Sequence, residues 1–298
     1  MTYLHYNGNM PTPLFTQQYP RGSEAFNALV AQNVKAALSE DMGSGDYTAM
    51  LIPAEQQAVA TIISRESAVI CGIDWVNACF KQLDENTKIK WLVNEGEKIS
   101  ANQLLCEISG NARALLSAER CALNFLQTLS AVATHTRVYV VAVSGTQTQI
   151  LDTRKTLPGL RLAQKYAVTV GGGMNQRLAL YDGILIKENH IAAAGSIEKA
   201  LVQARALNAN VTIQIEVENL DELAQALNAG ATSILLDNFG MSDMKEAVRI
   251  TNKRALLEAS GNVNLNSVRD IALTGVDRIS IGALTKHIRA IDLSMRIK

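Results

Sequence analysis

The sequence predicts an α/β fold, in which a small sheet covered by helices is followed by a parallel barrel, complete or incomplete. Short β-type runs separated by turn residues fill the first half. From about residue 148, short apolar strands alternate with helical stretches, as in βαβ units. The chain has no dinucleotide-binding glycine fingerprint, which favours a barrel over an open nucleotide-binding sheet.

The composition excludes several classes of function. The chain has 298 residues, of which 48% are hydrophobic and 19% are charged, and its formal net charge is zero. A chain of this length forms one large or two ordinary domains. Because zero net charge creates no overall field, we expect neither nucleic acid nor membrane as a partner. Any anion site must be a local cluster of cations.

Four cysteines lie outside any C-x-x-C pair, and we expect reduced, buried thiols: Cys71, Cys79, Cys106 and Cys121. The N-terminal residues contain no apolar signal region, and no apolar run approaches the roughly 20 residues of a membrane span. The sequence therefore predicts a cytoplasmic protein.

Residues 1–23 are polar, contain three prolines and predict an irregular arm. The apolar spacing from Glu24 to Leu38 predicts a helix, and Asp74 to Leu83 predicts another. The β-type runs between and after them are Ala58–Ser64, Ala68–Cys71, Ile89–Val93 and Leu104–Ile108. Residues Ala112 to Val143, dense in Ala and Leu, predict one or two long helices.

Six strands are predicted in the second half, with helices such as Leu220–Ala229 and Met241–Thr251 between them. The strands are Gln149–Asp152, Gly183–Lys187, Ile213–Val217, Ser233–Asp237, Ala255–Glu258 and Arg278–Ile281. Each ends in polar residues. Because the carboxyl ends of parallel barrel strands share one face, those residues should meet at one mouth. We expect these neighbours there: Arg154, Lys155, Lys187, Glu216, Asp237 and Ser260.

The charges at this mouth indicate the chemistry. Its cations, with Arg177 among them, suit a substrate with several negative charges, and the arginine fork binds carboxylates bidentately. The carboxylates Glu216 and Asp237 could hold Mg²⁺ against phosphate oxygens or stabilise an oxocarbenium-like sugar. A sugar phosphate with an anionic acceptor uses both features.

Two glycine-containing turns follow the last two strands: Ser260-Gly261-Asn262 and Ile281-Gly282-Ala283. In barrels, such loops often form a phosphate cradle from backbone N–H groups, and a 5′-phosphate would occupy it. The triple glycine at 171–173 could bind phosphate or could serve a tight turn or close packing.

Other readings stay open for several side chains. Glu216 and Asp237 could be structural partners of the cations, and Glu188 and Glu258 are as readily structural as functional. His190 could cap or pack rather than catalyse. The sequence contains no zinc-ligand spacing, P-loop or G-x-S-x-G elbow.

Long motifs in this chain resemble the quinolinate phosphoribosyltransferase family. They include LDTRKTLPGLR from Leu151, KYAVTVGGGMNQRLALYDGILIKENHI from Lys165, EVENLDEL, ILLDNF, LEASGNV and TGVDRISIGALTKH. The first half matches with EDMGSGDYTAMLIP and SAERCALNFLQTLSAVAT. The resemblance spans nearly the whole chain, in order.

The resemblance implies an N-terminal α/β sandwich domain plus an incomplete parallel α/β barrel. We expect residues 1–130 in the first domain, 131–284 in the second, and 285–298 packed back on the first. It implies formation of nicotinate mononucleotide, CO₂ and pyrophosphate from quinolinate and phosphoribosyl pyrophosphate, with Mg²⁺ and no organic cofactor. It also implies a homodimer in which Arg120 reaches into the neighbouring subunit's site.

The roles implied for single residues follow from the same motifs. Arg154 and Arg177 would hold the pyridine dicarboxylate, with Lys187 nearby, and Lys155 and Lys187 would face the pyrophosphate and phosphate groups. Glu216 and Asp237 would hold the ribose hydroxyls or the metal. The catalytic residues would be Lys155, Lys187, Glu216 and Asp237. The remaining predicted substrate contacts are Thr153, Gln176, Ser260, Gly261, Asn262, Ile281, Gly282 and Ala283.

The sequence departs from the family pattern at two positions. Gln176 stands where members commonly have histidine, so a charged imidazole is absent and only a hydrogen bond to substrate remains. Lys286 replaces a histidine of some members and keeps the positive charge. The alternatives are a related phosphoribosyltransferase that takes nicotinate or another acid, a paralogue associated with molybdate transport, and a non-catalytic protein that binds sugar phosphates.

Overall fold

The structure is a computed structural model that describes residues 11–298. The helices are α1 Leu14–Gln18, α2 Glu24–Met42, α3 Ile73–Leu83, α4 Ala112–Ala142, α5 Arg161–Val170, α6 Glu188–Ala194, α7 Ile197–Ala206, α8 Leu220–Asn228, α9 Met241–Thr251, α10 Val268–Ala272 and α11 Ala283–Lys286. The strands are β1 Gln57–Ser64, β2 Ala68–Val69, β3 Lys88–Trp91, β4 Lys98–Ile99, β5 Leu104–Asn111, β6 Gln149–Leu151, β7 Gly183–Ile186, β8 Thr212–Val217, β9 Ser233–Asp237, β10 Leu256–Ser260, β11 Arg278–Ser280 and β12 Leu293–Ile297.

An antiparallel sheet organises the first half, with the strand order β12-β1-β5-β3. The alternation of buried and exposed residues in β1 turns one face of the sheet toward a core, where Ile62 and Ile108 are fully buried. The small pair of β2 and β4 lies apart from this sheet. The prediction of a small sheet with helices is confirmed, although β4 was not predicted.

The closing strand belongs to this first sheet. In β12, Leu293 lies opposite Ser64 and Ile297 lies opposite Ala60. The last residues therefore pack on the first half of the chain, although more than 200 residues of sequence separate β1 from β12. Where one domain ends and the next begins stays a prediction.

Residues 1–23 were expected to form an irregular arm, and this is wrong for part of the segment. Positions 1–10, where some of that arm falls, lie outside the described residues. Residues Leu14–Gln18 form α1, and Phe15 is buried because it packs against Phe26 and Tyr166. The hydrophobic free energy gained by burying the Phe15 ring outweighs the conformational entropy that the proline-containing segment loses when it becomes ordered.

Helix α4 is a single helix of 31 residues, about 46 Å long. Asn111 begins it, since its side chain accepts from the backbone N–H groups of Arg113 and Ala114. The N-terminal part of α4 is buried in the first core, while Tyr139 near its end belongs to the second core. One helix therefore joins the two halves.

The parallel sheet has the strand order β6-β11-β10-β9-β8-β7, and all six strands were predicted. The first strand in sequence pairs with the last, as barrel closure requires. In the described residues, β6 and β7 are the two edges of the sheet and do not pair with each other. Leu151 of β6 forms an isolated bridge with Met174, which precedes β7 in the chain. The sheet is thus a barrel that stays open on one side.

The position of α5 explains the opening. A helix between two barrel strands normally covers the barrel, yet α5 buries Tyr166, Ala167 and Val168 in the first core instead. The chain leaves the barrel after β6, runs beside β6 again at Met174, and then continues to β7. The apolar face of α5 is buried in the first core, so this helix does not hold the edge strands β6 and β7 together.

The triple glycine serves a turn and close packing. A side chain on Gly171 would lie 2.6 Å from the carbonyl oxygen of Ala133 in α4, and one on Gly173 would lie 2.8 Å from Cγ2 of Thr136. Gly172 has a φ of +92°, which favours glycine. Of the two interpretations left open, the structure supports the turn and packing.

Among residues 11–298, no helix is long and apolar enough to span a membrane. The four cysteines are buried and unpaired with one another, as expected. Burial raises the pKa of Cys106 to about 12 and of Cys121 to about 11, so these thiols stay protonated at neutral pH.

We predict that Gly171→Ala lowers the free energy of unfolding by about 1–3 kcal/mol, because α4 leaves no room for the added methyl group. Gly240→Ala is the matched control. A side chain there meets only Asp243 Oδ2 at 4.0 Å and φ is −72°, so we expect a change below about 1 kcal/mol. Urea unfolding measures both; equal losses in the two variants would contradict the close packing.

Candidate active site

The register of the parallel sheet brings the predicted polar residues to one edge. Ser260 lies opposite Asp237, and Ile186 opposite Ile215, so that Lys187 follows beside Glu216. Ser280 lies opposite Leu151, and the loops after β11 and β6 therefore run side by side. The mouth is thus formed by the carboxyl ends of all six strands.

Lys187 and Glu216 form an ion pair at this mouth. Lys187 Nζ donates to both carboxylate oxygens, at 2.8 Å to Oε2 and 3.1 Å to Oε1. The Glu216 side chain is only 10% exposed, whereas that of Lys187 is 44% exposed. The carboxylate is therefore held in place, while the Lys187 side chain stays accessible at the mouth.

Arg154 offers an unused donor. Its Nε is buried and has no hydrogen-bond partner among the described residues. A buried guanidinium N–H without an acceptor costs free energy, and an anion that enters the mouth would remove that cost. Burial lowers the pKa of the Arg177 guanidinium, and the positive charge of Arg154 lowers it further, so the two arginines are neighbours.

Arg177 is held in place by a contact that the sequence did not indicate. Its Nη1 donates to the carbonyl of Gly183 at 2.8 Å, at the beginning of β7. A side chain on Gly183 would come within 3.1 Å of Arg177 Cβ, so glycine gives the arginine its room. The guanidinium keeps further N–H groups with which to bind an anion.

A buried network holds the loop that carries Arg154 and Lys155. The Lys155 carbonyl accepts from Thr285 Oγ1 at 2.7 Å, and Lys155 N donates to Thr153 Oγ1 at 3.1 Å. Gln164, fully buried in α5, accepts from Leu157 N and donates to the Thr285 carbonyl. The loop is fixed between α5 and α11, although the Lys155 side chain is exposed.

Asp152, directly before this loop, fixes it through a buried ion pair and two hydrogen bonds. It pairs with Lys165 of α5 at 2.5 Å, and both side chains are 0% exposed. Asp152 also accepts from Asn175 Nδ2 at 2.8 Å and from the backbone N–H of Gln176 at 2.9 Å. Burial raises the pKa of Asp152, while Lys165 and the other donors oppose the rise. With this set of donors, we conclude that the carboxylate is ionised.

The loops after β9 and β10 interlock. Asn238 donates to Asp237 Oδ2 at 2.9 Å and has a φ of +55°, while its backbone N–H donates to the Ser260 carbonyl. A side chain on Gly261 would overlap Asn238 Oδ1, and its φ is +103°. Only glycine fits there, so the Ser260-Gly261-Asn262 turn lies directly against Asp237.

The last turn of the mouth closes onto the first. A side chain on Gly282 would lie 3.1 Å from Lys155 Cδ and 3.5 Å from Thr153 Oγ1. Ile281 is buried and its N–H donates to the Leu151 carbonyl, which fixes the turn, and Ala283 begins α11. The two glycine turns therefore lie at this edge, as the sequence predicted.

Gln176 turns its side chain into the barrel. Its Nε2 donates to Gln214 Oε1 at 2.5 Å, and Gln214 Nε2 donates to Glu258 Oε2 at 2.9 Å. Glu258 is buried inside the barrel, and His190 caps α6 by accepting from Lys187 N through Nδ1. For His190, the capping interpretation therefore holds.

Arg120 does not join the other site residues. It is exposed on α4, and it makes no hydrogen bond or ion pair with another residue of the described range. Within residues 11–298, no group of three or more His, Cys, Asp or Glu side chains could hold a metal ion.

The sequence interpretation missed several supporting residues: Asp152, Gln164, Lys165, Asn175, Gln214 and Asn238. For three of them, the sequence pattern could have indicated a buried polar role. Lys165 and Gln164 interrupt the apolar face of α5, and Gln214 lies two residues before Glu216, on the same side of an apolar strand. Buried polar residues inside apolar patterns indicate hydrogen-bonded networks.

Comparison with known proteins agrees on one family. The model for the C-terminal domain of quinolinate phosphoribosyl transferase matches residues 132–296, and the model for its N-terminal domain matches residues 46–130. A probable nicotinate-nucleotide pyrophosphorylase (carboxylating) from Bacillus subtilis is 41% identical over 259 residues, which are 87% of this chain and 90% of that protein.

A quinolinate phosphoribosyltransferase (decarboxylating) from Nicotiana tabacum is 39% identical over 285 residues, with 89% of this chain and 81% of that protein covered. Among solved structures, a nicotinate-nucleotide pyrophosphorylase from Francisella tularensis superposes with a TM-score of 0.88 at 48% sequence identity. That match covers 91% of this chain and 97% of the other.

We predict that Lys165→Met destabilises the protein by roughly 3–5 kcal/mol, because it leaves the buried Asp152 charge without its partner. Lys35→Met on the exposed face of α2 is the control and should change stability by less than about 0.5 kcal/mol. Denaturant unfolding curves give both values. A Lys165→Met variant as stable as the control would mean that the pair does not hold the loop.

Proposed function

The chain belongs to the quinolinate phosphoribosyltransferase family, and we propose that the mouth of its parallel sheet carries the family's reaction. The protein is a phosphoribosyltransferase that forms nicotinate mononucleotide, CO₂ and pyrophosphate from quinolinate and phosphoribosyl pyrophosphate. The observation that carries the site assignment is the unpartnered, buried Nε of Arg154 beside a second arginine.

Arg154 and Arg177 hold the two carboxylates of quinolinate. The two guanidinium groups are neighbours and half-buried. Two positive charges in this setting repel each other unless a negative charge compensates for them. A dianion on the ring supplies the compensating charge and can be bound bidentately. Nicotinate carries only one carboxylate and would leave one arginine without a partner.

Lys155 and Lys187 face the phosphate groups of phosphoribosyl pyrophosphate. The Lys155 residue is exposed, and the Lys187 side chain is 44% exposed although its ammonium group is tied to Glu216. Both can therefore reach a ligand that fills the opening. The glycine turns at Gly261 and Gly282 allow a sugar phosphate to approach the backbone closely.

Glu216 and Asp237 act on the ribose. Their carboxylates lie at the ends of neighbouring strands, one fixed by Lys187 and the other by Asn238. Fixed carboxylates of this kind can accept hydrogen bonds from the ribose hydroxyls. They also stabilise the positive charge that develops on the sugar ring.

Within residues 11–298, no third His, Cys, Asp or Glu joins the two carboxylates in a metal-binding group. Such a pair fits Mg²⁺ that arrives with the diphosphate, since this ion usually keeps waters and substrate oxygens in its shell. Glu216 and Asp237 are the residues that would hold it, directly or through water. When bound, the ion would offset the charge of the leaving pyrophosphate.

The reaction itself needs mainly position and charge. The pyridine nitrogen bonds to C1 of the ribose, and the bond from C1 to pyrophosphate breaks with its electron pair on the leaving group. The quaternised ring then loses its 2-carboxylate as CO₂, because the positive nitrogen stabilises the electron pair left on the ring carbon. A proton replaces the carboxylate.

The active unit is a homodimer with shared sites. Arg120 is exposed and unpaired within the described chain, and it lies outside the group of residues at the mouth. An arginine in that setting is available to a neighbouring subunit. The symmetric exchange of one arginine between two copies completes both sites.

We predict that Lys187→Ala lowers turnover by at least about 100-fold, since it removes a cation that acts on developing charge. Its melting temperature should stay close to that of the wild type, because the Lys187 side chain lies at the open mouth and is 44% exposed. Purified protein is incubated with quinolinate, phosphoribosyl pyrophosphate and Mg²⁺, and CO₂ and mononucleotide are measured. Lys199→Ala on exposed α7 is the control.

The same assay separates the alternatives. Preference for nicotinate over quinolinate would select a related phosphoribosyltransferase. Binding of phosphoribosyl pyrophosphate without product would select a sugar-phosphate-binding protein. A Lys187→Ala variant with wild-type turnover would contradict the site assignment.

We further predict that Arg120→Ala and Lys187→Ala are each inactive alone and regain activity when refolded together. In a mixed dimer, one site has both native residues and the other has neither, so an equal mixture should recover about a quarter of the wild-type activity. Recovery of activity is the measurement, and a mixture of Lys187→Ala with Asp237→Ala is the control, since both residues belong to one subunit's mouth. No recovery would contradict the shared site.

A further inference from the structure

A continuous chain of side-chain hydrogen bonds runs beneath the mouth, from β10 across β8 to the loop before β7. Gln214 donates to Glu258, and Gln176 donates to Gln214. The chain ends at Arg177, whose backbone N–H donates to Gln176 Oε1 at 2.6 Å. Gln214 is 6% exposed and Glu258 is 1% exposed, so the chain is shielded from water.

The direction of this chain is fixed at its Arg177 end, because a backbone N–H is always a donor. Gln176 must turn its oxygen to that N–H and its nitrogen to Gln214. In turn, Gln214 must offer its oxygen to Gln176 and its nitrogen to position 258. If either amide were flipped, two donors would face each other. Position 258 therefore has to supply an acceptor.

Glu258 is a costly residue in its present place. Burial raises its pKa, while Gln214, Ser280, Arg278 and Gln176 oppose the rise. Its Oε1 is buried without a hydrogen-bond partner among the described residues. If this position served packing alone, an apolar side chain would fill it at lower cost.

The other end of the chain shows what the acceptor supports. Arg177 is anchored twice, since its backbone N–H is held by Gln176 and its Nη1 by the Gly183 carbonyl. Substrate-binding side chains work best when their own positions are fixed by a second set of contacts. Without Gln176, the backbone anchor is lost and one of the two constraints on the guanidinium disappears.

We propose that Glu258 is a positioning residue for the transfer reaction: through Gln214 it fixes the amide of Gln176, and through Gln176 it fixes Arg177. This inference rests on the proposed function, because it takes Arg177 as a quinolinate-binding residue. It also revises the role predicted for Gln176. That side chain serves the site from inside the barrel, and it does not bind the substrate.

Two substitutions at position 258 distinguish an acceptor from a charge. Glu258→Gln keeps an oxygen that can accept from Gln214, and its amide nitrogen has Ser280 nearby. Glu258→Met keeps the volume and removes the acceptor. We expect Glu258→Gln to resemble the wild type, and Glu258→Met to raise the KM for quinolinate roughly 10- to 100-fold. The KM for phosphoribosyl pyrophosphate should stay unchanged in both.

A second readout follows the hydrogen-bond chain without any substrate. Amide hydrogen exchange of the segment 174–180 reports the protection of the Arg177 N–H. We expect faster exchange in Glu258→Met and in Gln176→Met, and wild-type protection in Glu258→Gln. In the double variant Glu258→Met with Gln176→Met, the KM should be no higher than in the worse single variant, because both act through one chain.

Several results would overturn the proposal. An unchanged quinolinate KM in Glu258→Met would show that the chain does not position Arg177, and equal damage in Glu258→Gln would show that the charge matters. If Glu258→Met does not fold, Gln176→Met carries the same two measurements, and an unchanged KM with unchanged exchange rejects the chain. A wild-type protein that does not turn over quinolinate would refute the proposed function, whereas hydrogen exchange would still decide whether Glu258 fixes Arg177.

Discussion

The buried carboxylate of Asp152 ties the two halves of the molecule together. It lies at the end of β6, in the parallel sheet, and pairs with Lys165 on α5, which packs in the first core. It also holds Asn175, whose side-chain oxygen accepts from the backbone N–H of Phe15. One ionised group thus joins the barrel, the first core and the segment that leads to β7. A buried pair of this kind adds little net stability but strongly penalises any arrangement that separates its members.

This constraint also explains why the barrel is open between β6 and β7. Because α5 is fixed to the first core, the chain between β6 and β7 does not cover the barrel with this helix. Arg154 lies before α5 and Arg177 after it, and Asp152 fixes this segment through Lys165 and the backbone N–H of Gln176. The dicarboxylate site of the proposed function therefore depends on how the two halves are joined, and not on the barrel alone.

Much of the fold and of the mouth could be predicted from the sequence, because both depend on local periodicity. The six apolar strands with polar ends reveal a parallel sheet, and the shared edge of such a sheet brings Lys187 and Glu216 together without further information. What could not be predicted depends on contacts between distant segments. The burial of Phe15, the short strand β4 and the destination of α5 are set by packing that no local pattern records.

The same distinction applies to single side chains at the site. The residue type indicates that Gln176 can form hydrogen bonds, but the direction of its side chain depends on Gln214 and Glu258. Gln214 lies 38 residues after Gln176, and Glu258 lies 44 residues after Gln214. The bond from Arg177 to the Gly183 carbonyl is local in sequence, yet it follows from the path of the chain around Asp182 rather than from any motif. The role proposed for Arg120 depends on a second copy of the chain, which no pattern within one chain records.

The pairing of β12 with β1 has a consequence for how the protein is made. The edge of β1 stays open until Leu293 to Ile297 have left the ribosome, since those residues supply its neighbouring strand. During most of synthesis, the nascent chain therefore exposes an apolar strand edge of the kind that promotes aggregation. The growing polypeptide has to shield this edge, by itself or with a chaperone, until β12 has been synthesised.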